Sequence, residues 1–174
     1  MKNVLIAFAI LPVLTCATVW AQGEHAPTPA PELKQLSYFV GTWQTDADAK
    51  AGPMGPGGKY TATGTYKWQD GNFFLFGNSK FKWPGGTGSE FMIFGYDSEK
   101  KVYTYHSFNS GGEYESATGV FQGDTWTWTN AEKGPFQWRY IEKVLSPASF
   151  TIRFEMSQDG KNWSTVMEGT AKKL

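Results

Sequence analysis

Between Lys59 and Gln69 the chain alternates without a break, with Tyr60, Ala62, Gly64, Tyr66 and Trp68 on one parity and Thr61, Thr63, Thr65 and Lys67 on the other. A period of two belongs to a strand with one buried face, because successive side chains leave opposite sides of a pleated backbone. The pattern recurs down the chain, punctuated by glycine-bearing turns roughly every eight to twelve residues, which is the signature of an antiparallel sandwich or barrel. Helical spacing occurs once after the first residues, in Leu33, Leu36, Phe39 and Val40. About ten strands in sequential hairpins, each with one apolar face, most simply close on themselves, because closure removes exposed edges. The expected fold is therefore all-β: an up-and-down antiparallel barrel of about ten strands with a short N-terminal helix.

The turns set the expected registers. A two-residue Asp70-Gly71 turn places Trp68 opposite Phe73, Tyr66 opposite Leu75, Gly64 opposite Gly77 and Ala62 opposite Ser79. Gly123-Asp124 places Phe121 beside Trp126 and Gly119 beside Trp128. Ser110-Gly111 places His106 beside Glu115 and Phe108 beside Glu113, which carries His106, Glu115, Glu113 and Thr104 to the face of Trp126 and Trp128. A longer turn over Asp97 to Lys101 adds Glu90 and Met92 to that face. Glu142 shares the parity of Trp138 and Tyr140, and Asp159-Gly160 leads into Trp163, Thr165 and Met167.

The N-terminus reads differently. Lys2 precedes an apolar run over Val4 to Leu14, and Val19-Trp20-Ala21 offers small residues where a signal peptidase cuts. Residues 1–21 are expected to be a signal peptide, followed by a proline-rich leader over 22–31 and one barrel domain over 32–174. The product would be periplasmic or secreted, with lipidation of Cys16 as the minor alternative. No later apolar run reaches the ~20 residues of a transmembrane helix. The formal net charge of +0 gives no electrostatic footprint for nucleic acid.

Phe39-Val40-Gly41-Thr42-Trp43 after a short helix resembles the Gly-x-Trp entry of lipocalin-like, or calycin, barrels. The ordered set PELKQL, FVGTW, GPMGPGGK, GYDSEKKVYTYHSFNSGGE, GDTWTWT and FEMSQDGKNWSTVMEGTA resembles the bacterial exported domain-of-unknown-function family 1579 and spans nearly the whole mature chain. The resemblance implies a calycin-like barrel with Trp43 at its floor, and it supplies no activity. Calycins usually set an arginine against that tryptophan; Arg153 is nearest, yet alternation points it outward. Haem-binding nitrobindin-like barrels carry later glycines after the Gly-x-Trp and a late histidine, which Gly41 to Ala47 and the chain after His106 lack.

Aromatics make up 17% of the chain and glycines number 20, and both sort onto the inferred inner face or into turns. Facing small residues (Gly64, Gly77, Ala62, Ser79) leave volume to be filled by a neighbouring ring, water or a ligand. The expected function is binding of a small, largely apolar molecule among Tyr66, Trp68, Trp126, Trp128, Trp138 and Tyr140, oriented by His106 and Glu115. Two rivals stay open: an enzyme using His106 and Glu115 as an acid–base pair, and a solid barrel that meets a protein partner through outward Phe74 and Phe76. No cofactor is expected, with haem on His106 as a minor alternative. The mature chain, with no Cys and two His, offers no metal-ligand spacing, and no Gly-x-Ser-x-Gly elbow is present. The loop over 50–59 is no P-loop, since a strand follows it. It is either a plain surface loop or a lid carrying Met54.

Overall fold

The computed structural model describes residues 27–52, 55–131 and 134–174. The expected signal peptide, Cys16, His25 and Met54 lie outside the described residues. A 3-10 helix, Pro31–Phe39, opens the described chain and turns Leu33, Leu36 and Phe39 inward. Proline at its first position costs nothing there, because that N–H has no partner inside the helix. Ten strands follow: β1 Gly41–Ala49, β2 Gly58–Trp68, β3 Leu75–Trp83, β4 Gly86–Asp97, β5 Val102–Asn109, β6 Tyr114–Gln122, β7 Thr125–Asn130, β8 Gln137–Ser146, β9 Ser149–Ser157 and β10 Ser164–Lys173. Each pairs antiparallel with its sequence neighbour, and β10 returns to β1 to close the barrel. Among the described residues no helix is long and apolar enough to cross a membrane.

The helix closes one end. Trp43 is buried, and its Nε1 donates to the Phe39 carbonyl at 2.7 Å. Tyr38 Oη shares its proton between the carbonyls of Ser149, at 2.9 Å, and Ser146, at 3.0 Å. Tyr103 Oη donates to the Glu32 carbonyl at 3.0 Å. Around these bonds, Leu36, Phe39, Leu75, Phe94, Trp126 and Phe150 form a dense aromatic and aliphatic floor. The place opposite the floor tryptophan is taken by Lys173, paired with Trp43 across β1 and β10, with its Nζ 5.2 Å from the ring centre. Arg153 does point outward, and its Nε meets Glu155 Oε1 at 2.9 Å.

Two hairpins depart from the expected registers. The chain after β2 makes a four-residue loop closed by Gln69 N–H to the Phe74 carbonyl, with Gly71 and Asn72 at positive φ. Trp68 therefore faces Leu75, Tyr66 faces Gly77, Gly64 faces Ser79 and Ala62 faces Phe81. The slip is two residues, so every side chain keeps its face. Between β5 and β6 the slip is one. A loop over Ser110 to Gly112 joins Asn109 to Glu113, with Gly112 at φ +82° and Asn109 Oδ1 accepting from the N–H groups of Gly111 and Glu113. A three-residue loop ending on a left-handed glycine is a stable hairpin solution, and it moves the facing strand by one place. His106 now faces Ser116, Ser107 faces Glu115 and Phe108 faces Tyr114. His106 and Thr104 thus belong to the outer face, and the expected His106–Glu115 pair does not form. The Gly119–Trp128 and Phe121–Trp126 pairs stand as expected, and so do the inward Glu90 and Met92.

A third departure is at Trp163, which alternation sets on the parity of Thr165 and Met167. A bulge between Thr165 and Met167 breaks the parity, and Trp163 lies outside under the Arg139 guanidinium, 4.1 Å from its centroid.

Candidate functional site

The volume expected from facing small residues is occupied by rings lying flat on the wall. A Cβ built on Gly77 would sit 2.7 Å from Tyr66 Cε1, and one on Gly64 would sit 2.9 Å from Tyr66 Cε2. Tyr66 therefore lies across both backbones. Trp128 covers Gly119 and Phe81 covers Gly88 in the same way. Glycine permits this approach because it has no Cβ to hold a ring off the sheet. Rings seated so line the barrel above the floor.

Within that lining lies a polar band. Glu90, Glu115 and Glu142 all face inward, from β4, β6 and β8. Tyr105 Oη donates to Glu90 Oε1 at 2.7 Å, and Trp128 Nε1 donates to Glu142 Oε2 at 3.2 Å. Loss of water raises the Glu142 pKa to about 7, against a smaller opposing pull from the indole bond. Glu115 lies beside the β5–β6 loop, away from the N-terminal helix, and its carboxyl is raised by partial loss of water, then by repulsion from Glu90 and Glu113. Desolvation pushes Tyr60 up to about 12, with Glu90 adding to it. Tyr66 and Tyr140 are raised as well, first by burial; Glu142 comes next for Tyr66 and Tyr60 for Tyr140. The Tyr140 ring stacks on Phe154 at 4.5 Å and meets Trp138 edge-on at 5.4 Å.

The expected ligand residues thus divide. Tyr66, Trp128, Trp138, Tyr140 and Glu115 share the inner face around this band. Trp126 belongs to the floor, stacked on Trp128 at 5.6 Å, and its buried Nε1 has no hydrogen-bond partner among the described residues. Trp68 lies at the closed end, where its Nε1 donates to Ser37 Oγ at 3.2 Å. His106 is outside, with Nδ1 2.9 Å from Tyr114 Oη. A haem held inside through His106 does not fit this arrangement, and neither does the expected acid–base pair. Glu113 is exposed and accepts from Asn109 Nδ2 at 2.7 Å. Alternation alone did not single out Tyr105, because the one-residue slip assigned its strand the wrong face. Among the described residues no group of three or more His, Cys, Asp or Glu could hold a metal.

Two surface clefts lie elsewhere. One of about 580 Å³ opens beside β2 to β4, with Thr61, Thr63, Lys80 and Lys82 at its edge. The other, about 430 Å³, runs between the N-terminal helix, Phe73, Phe74 and Lys101. Neither is lined by the inner band.

Residues 28–173 match the model of a family described as "Protein of unknown function (DUF1579)". The chain belongs to that family. Comparison with curated proteins finds no match. Among solved structures, this DUF1579 barrel is similar to Rv2717c from M. tuberculosis at 15% identity and a TM-score of 0.57, over 84% of this chain and 99% of that one. It is similar to the S-type phycobiliprotein lyase CPES from Guillardia theta at 10% identity and 0.58, over 81% and 91% of the two chains. A DUF3598-family protein of unknown function from Nostoc punctiforme aligns at 9% identity and 0.51, over 86% of this chain and 50% of its own. At these identities the likeness is one of fold, and that fold is calycin-like.

Proposed function

We propose that this DUF1579 barrel binds a small, largely apolar molecule in its interior, from the open end opposite the N-terminal helix. The observation that carries the reading is the state of the inner rings. Tyr66, Tyr140 and Trp138 share the inner face of the closed barrel, and each keeps part of its surface accessible. Aromatic walls with a few enclosed polar groups are the usual make-up of a small-molecule site. Export, with cleavage after Ala21, is part of the same proposal and is supported by the sequence of residues 1–21. Native mass spectrometry of the protein purified from its producing cells tests the reading. A bound species of a few hundred daltons, released on unfolding, is the expected result. A bare chain that also fails to quench its tryptophans with any apolar probe would overturn it.

A specific observation favours a second reading, a protein-interaction module. The outer face of β3 to β6 carries Phe76 and Phe91 at 5.6 Å, and Phe108 and Tyr114 at 5.2 Å, with Phe91 directly opposite Phe108. Phe108 and Tyr114 are 47% and 52% exposed. An apolar row of this kind on a soluble face marks contact sites. Pull-down from the native extract with the wild type and a Phe91→Ser, Phe108→Ser variant separates the readings: only a partner lost with those two rings supports the module.

A further inference from the structure

The outer surface of the barrel is divided by charge. Registered partners share a face, and the outward rows of β2 to β6 carry Lys59, Lys67, Lys80 and Lys82 against a single acid, Asp97. That acid lies at the end of β4, where Lys100 holds it at 3.1 Å. Lys59 is taken by Asp48 of β1. Lys67, Lys80 and Lys82 are exposed and have no carboxylate partner among the described residues. On the rest of the outer surface acids and bases pair: Arg139 and Arg153 with Glu155, Lys143 with Asp124, Lys50 with Glu168.

Exposed rings share that basic face. Phe91, Phe108 and Tyr114 stand in one row across β4 to β6, and the next row sets Lys67, Phe76 and Ile93 side by side across β2 to β4. Lys80 and Lys82 lead along β3 to Trp83 at the β3–β4 turn, which is 37% exposed with its ring against Gly85. The cleft of about 580 Å³ adjoins these two lysines and adds the hydroxyls of Thr61, Thr63, Thr87 and Ser89. Charge complementarity calls for a negative partner, and the residue types narrow it. Protein interfaces concentrate arginine and are depleted in lysine, yet β2 to β6 contain no arginine at all. A bilayer surface suits lysine, whose ammonium meets lipid phosphates while its stem and neighbouring rings lie against the upper acyl chains. Tryptophan favours the same boundary layer. A second copy of the face would bring lysines against lysines.

We propose that the outer face of β2 to β6 docks the barrel on a bilayer of anionic lipid. Lys67, Lys80 and Lys82 meet the phosphates, and Phe91, Phe108 and Trp83 enter the interfacial layer. The docking is independent of interior binding and stands or falls without it.

The test titrates the protein, purified from its producing cells, with vesicles of phosphatidylcholine alone and of phosphatidylcholine mixed with phosphatidylglycerol, and reads co-sedimentation. The mixed vesicles are expected to bind about tenfold or more tighter at low ionic strength, with the preference fading as salt is added. Lys80→Gln with Lys82→Gln should remove about tenfold or more of that affinity. Lys143→Gln with Lys172→Gln makes the same charge change on the opposite side and should stay within about twofold of the wild type. Both pairs keep the wild-type N-terminus, so the difference between them reads the face alone. Brominated acyl chains should quench tryptophan in the mixed vesicles, and Trp83→Phe should remove most of that quenching. The vesicle comparison on the wild type needs no variant to fold. No preference for the mixed vesicles, or equal losses from the two lysine pairs, overturns the inference and leaves interior binding untouched. Vesicles ignored while a protein from the native extract is held, and lost in the Phe91→Ser, Phe108→Ser variant, overturns it in favour of a protein partner.

Discussion

Glu142→Gln isolates one group whose ionisation opposes folding. The carboxyl is enclosed with one hydrogen bond, from Trp128 at 3.2 Å, and burial lifts its pKa from the ordinary 4.5 to about 7. An acid with a raised folded pKa holds its proton more tightly when folded. Its contribution to stability is full below the unfolded value and is lost as pH rises through the folded one. The window is therefore pH 4.5 to slightly above 7. The gap between those values corresponds to about 3 kcal/mol once the group is fully ionised. Glutamine keeps the shape and a carbonyl acceptor for the indole, and it cannot ionise. Urea unfolding followed by tryptophan fluorescence, in steps from pH 5 to 9, should show the wild type losing roughly that amount. The variant should lose much less, and its advantage should grow with pH. A smaller slope will remain from Glu115, which is shifted the same way. Asp97, Asp124 and Asp159 are lowered by hydrogen bonds and nearby lysines, so they destabilise only on acidification, and starting at pH 5 keeps them out. A wild-type stability that is flat or rising from pH 5 to 8, or an unchanged slope in the variant, would refute the reasoning.

Three further outcomes follow from contacts described above. Gly77→Val should cost about 1–3 kcal/mol, because its new methyls meet the Tyr66 ring and Met92, and Tyr66→Ala in the same chain should recover part of the loss. Lys173→Met should lower the urea midpoint by the equivalent of about 0.5–1 kcal/mol, through loss of the cation over Trp43 and the bond to the Tyr38 carbonyl. Glu155→Gln leaves Arg139 and Arg153 facing each other without their shared carboxylate; thermal unfolding should fall by the equivalent of about 2 kcal/mol, with Arg139→Met in the same chain restoring some of it.

The strand count, the antiparallel order and the inward rings of β7 and β8 were all legible from alternation, which is local and repeats. The turns were less so. At Asp70-Gly71 the chain uses four loop residues instead of two, and an even change leaves each side chain on its face. At Ser110 the change is odd, and His106 moved from the interior to the exterior. The cause is the Asn109 side chain, which holds two loop N–H groups, an arrangement that a hydrophobic pattern does not register. The bulge that carries Trp163 outside is equally silent in the pattern. Lys173 against Trp43 depended on pairing the first strand with the last, which no local signal specifies.

That last pairing also governs how the molecule can be made. β1 has β2 on one side and β10 on the other, with residues 69–163 of the chain between its two partners. Until Ser164–Lys173 is available the sheet is a curled strip with two open edges, β1 and β9. Such edges recruit other chains, and ring closure between distant segments is slow relative to hairpin formation. The nascent chain therefore passes through an adhesive stage that ends only when its final strand docks. Conditions that delay the docking should yield aggregates built edge to edge, even from a sequence whose finished form has no free edge at all.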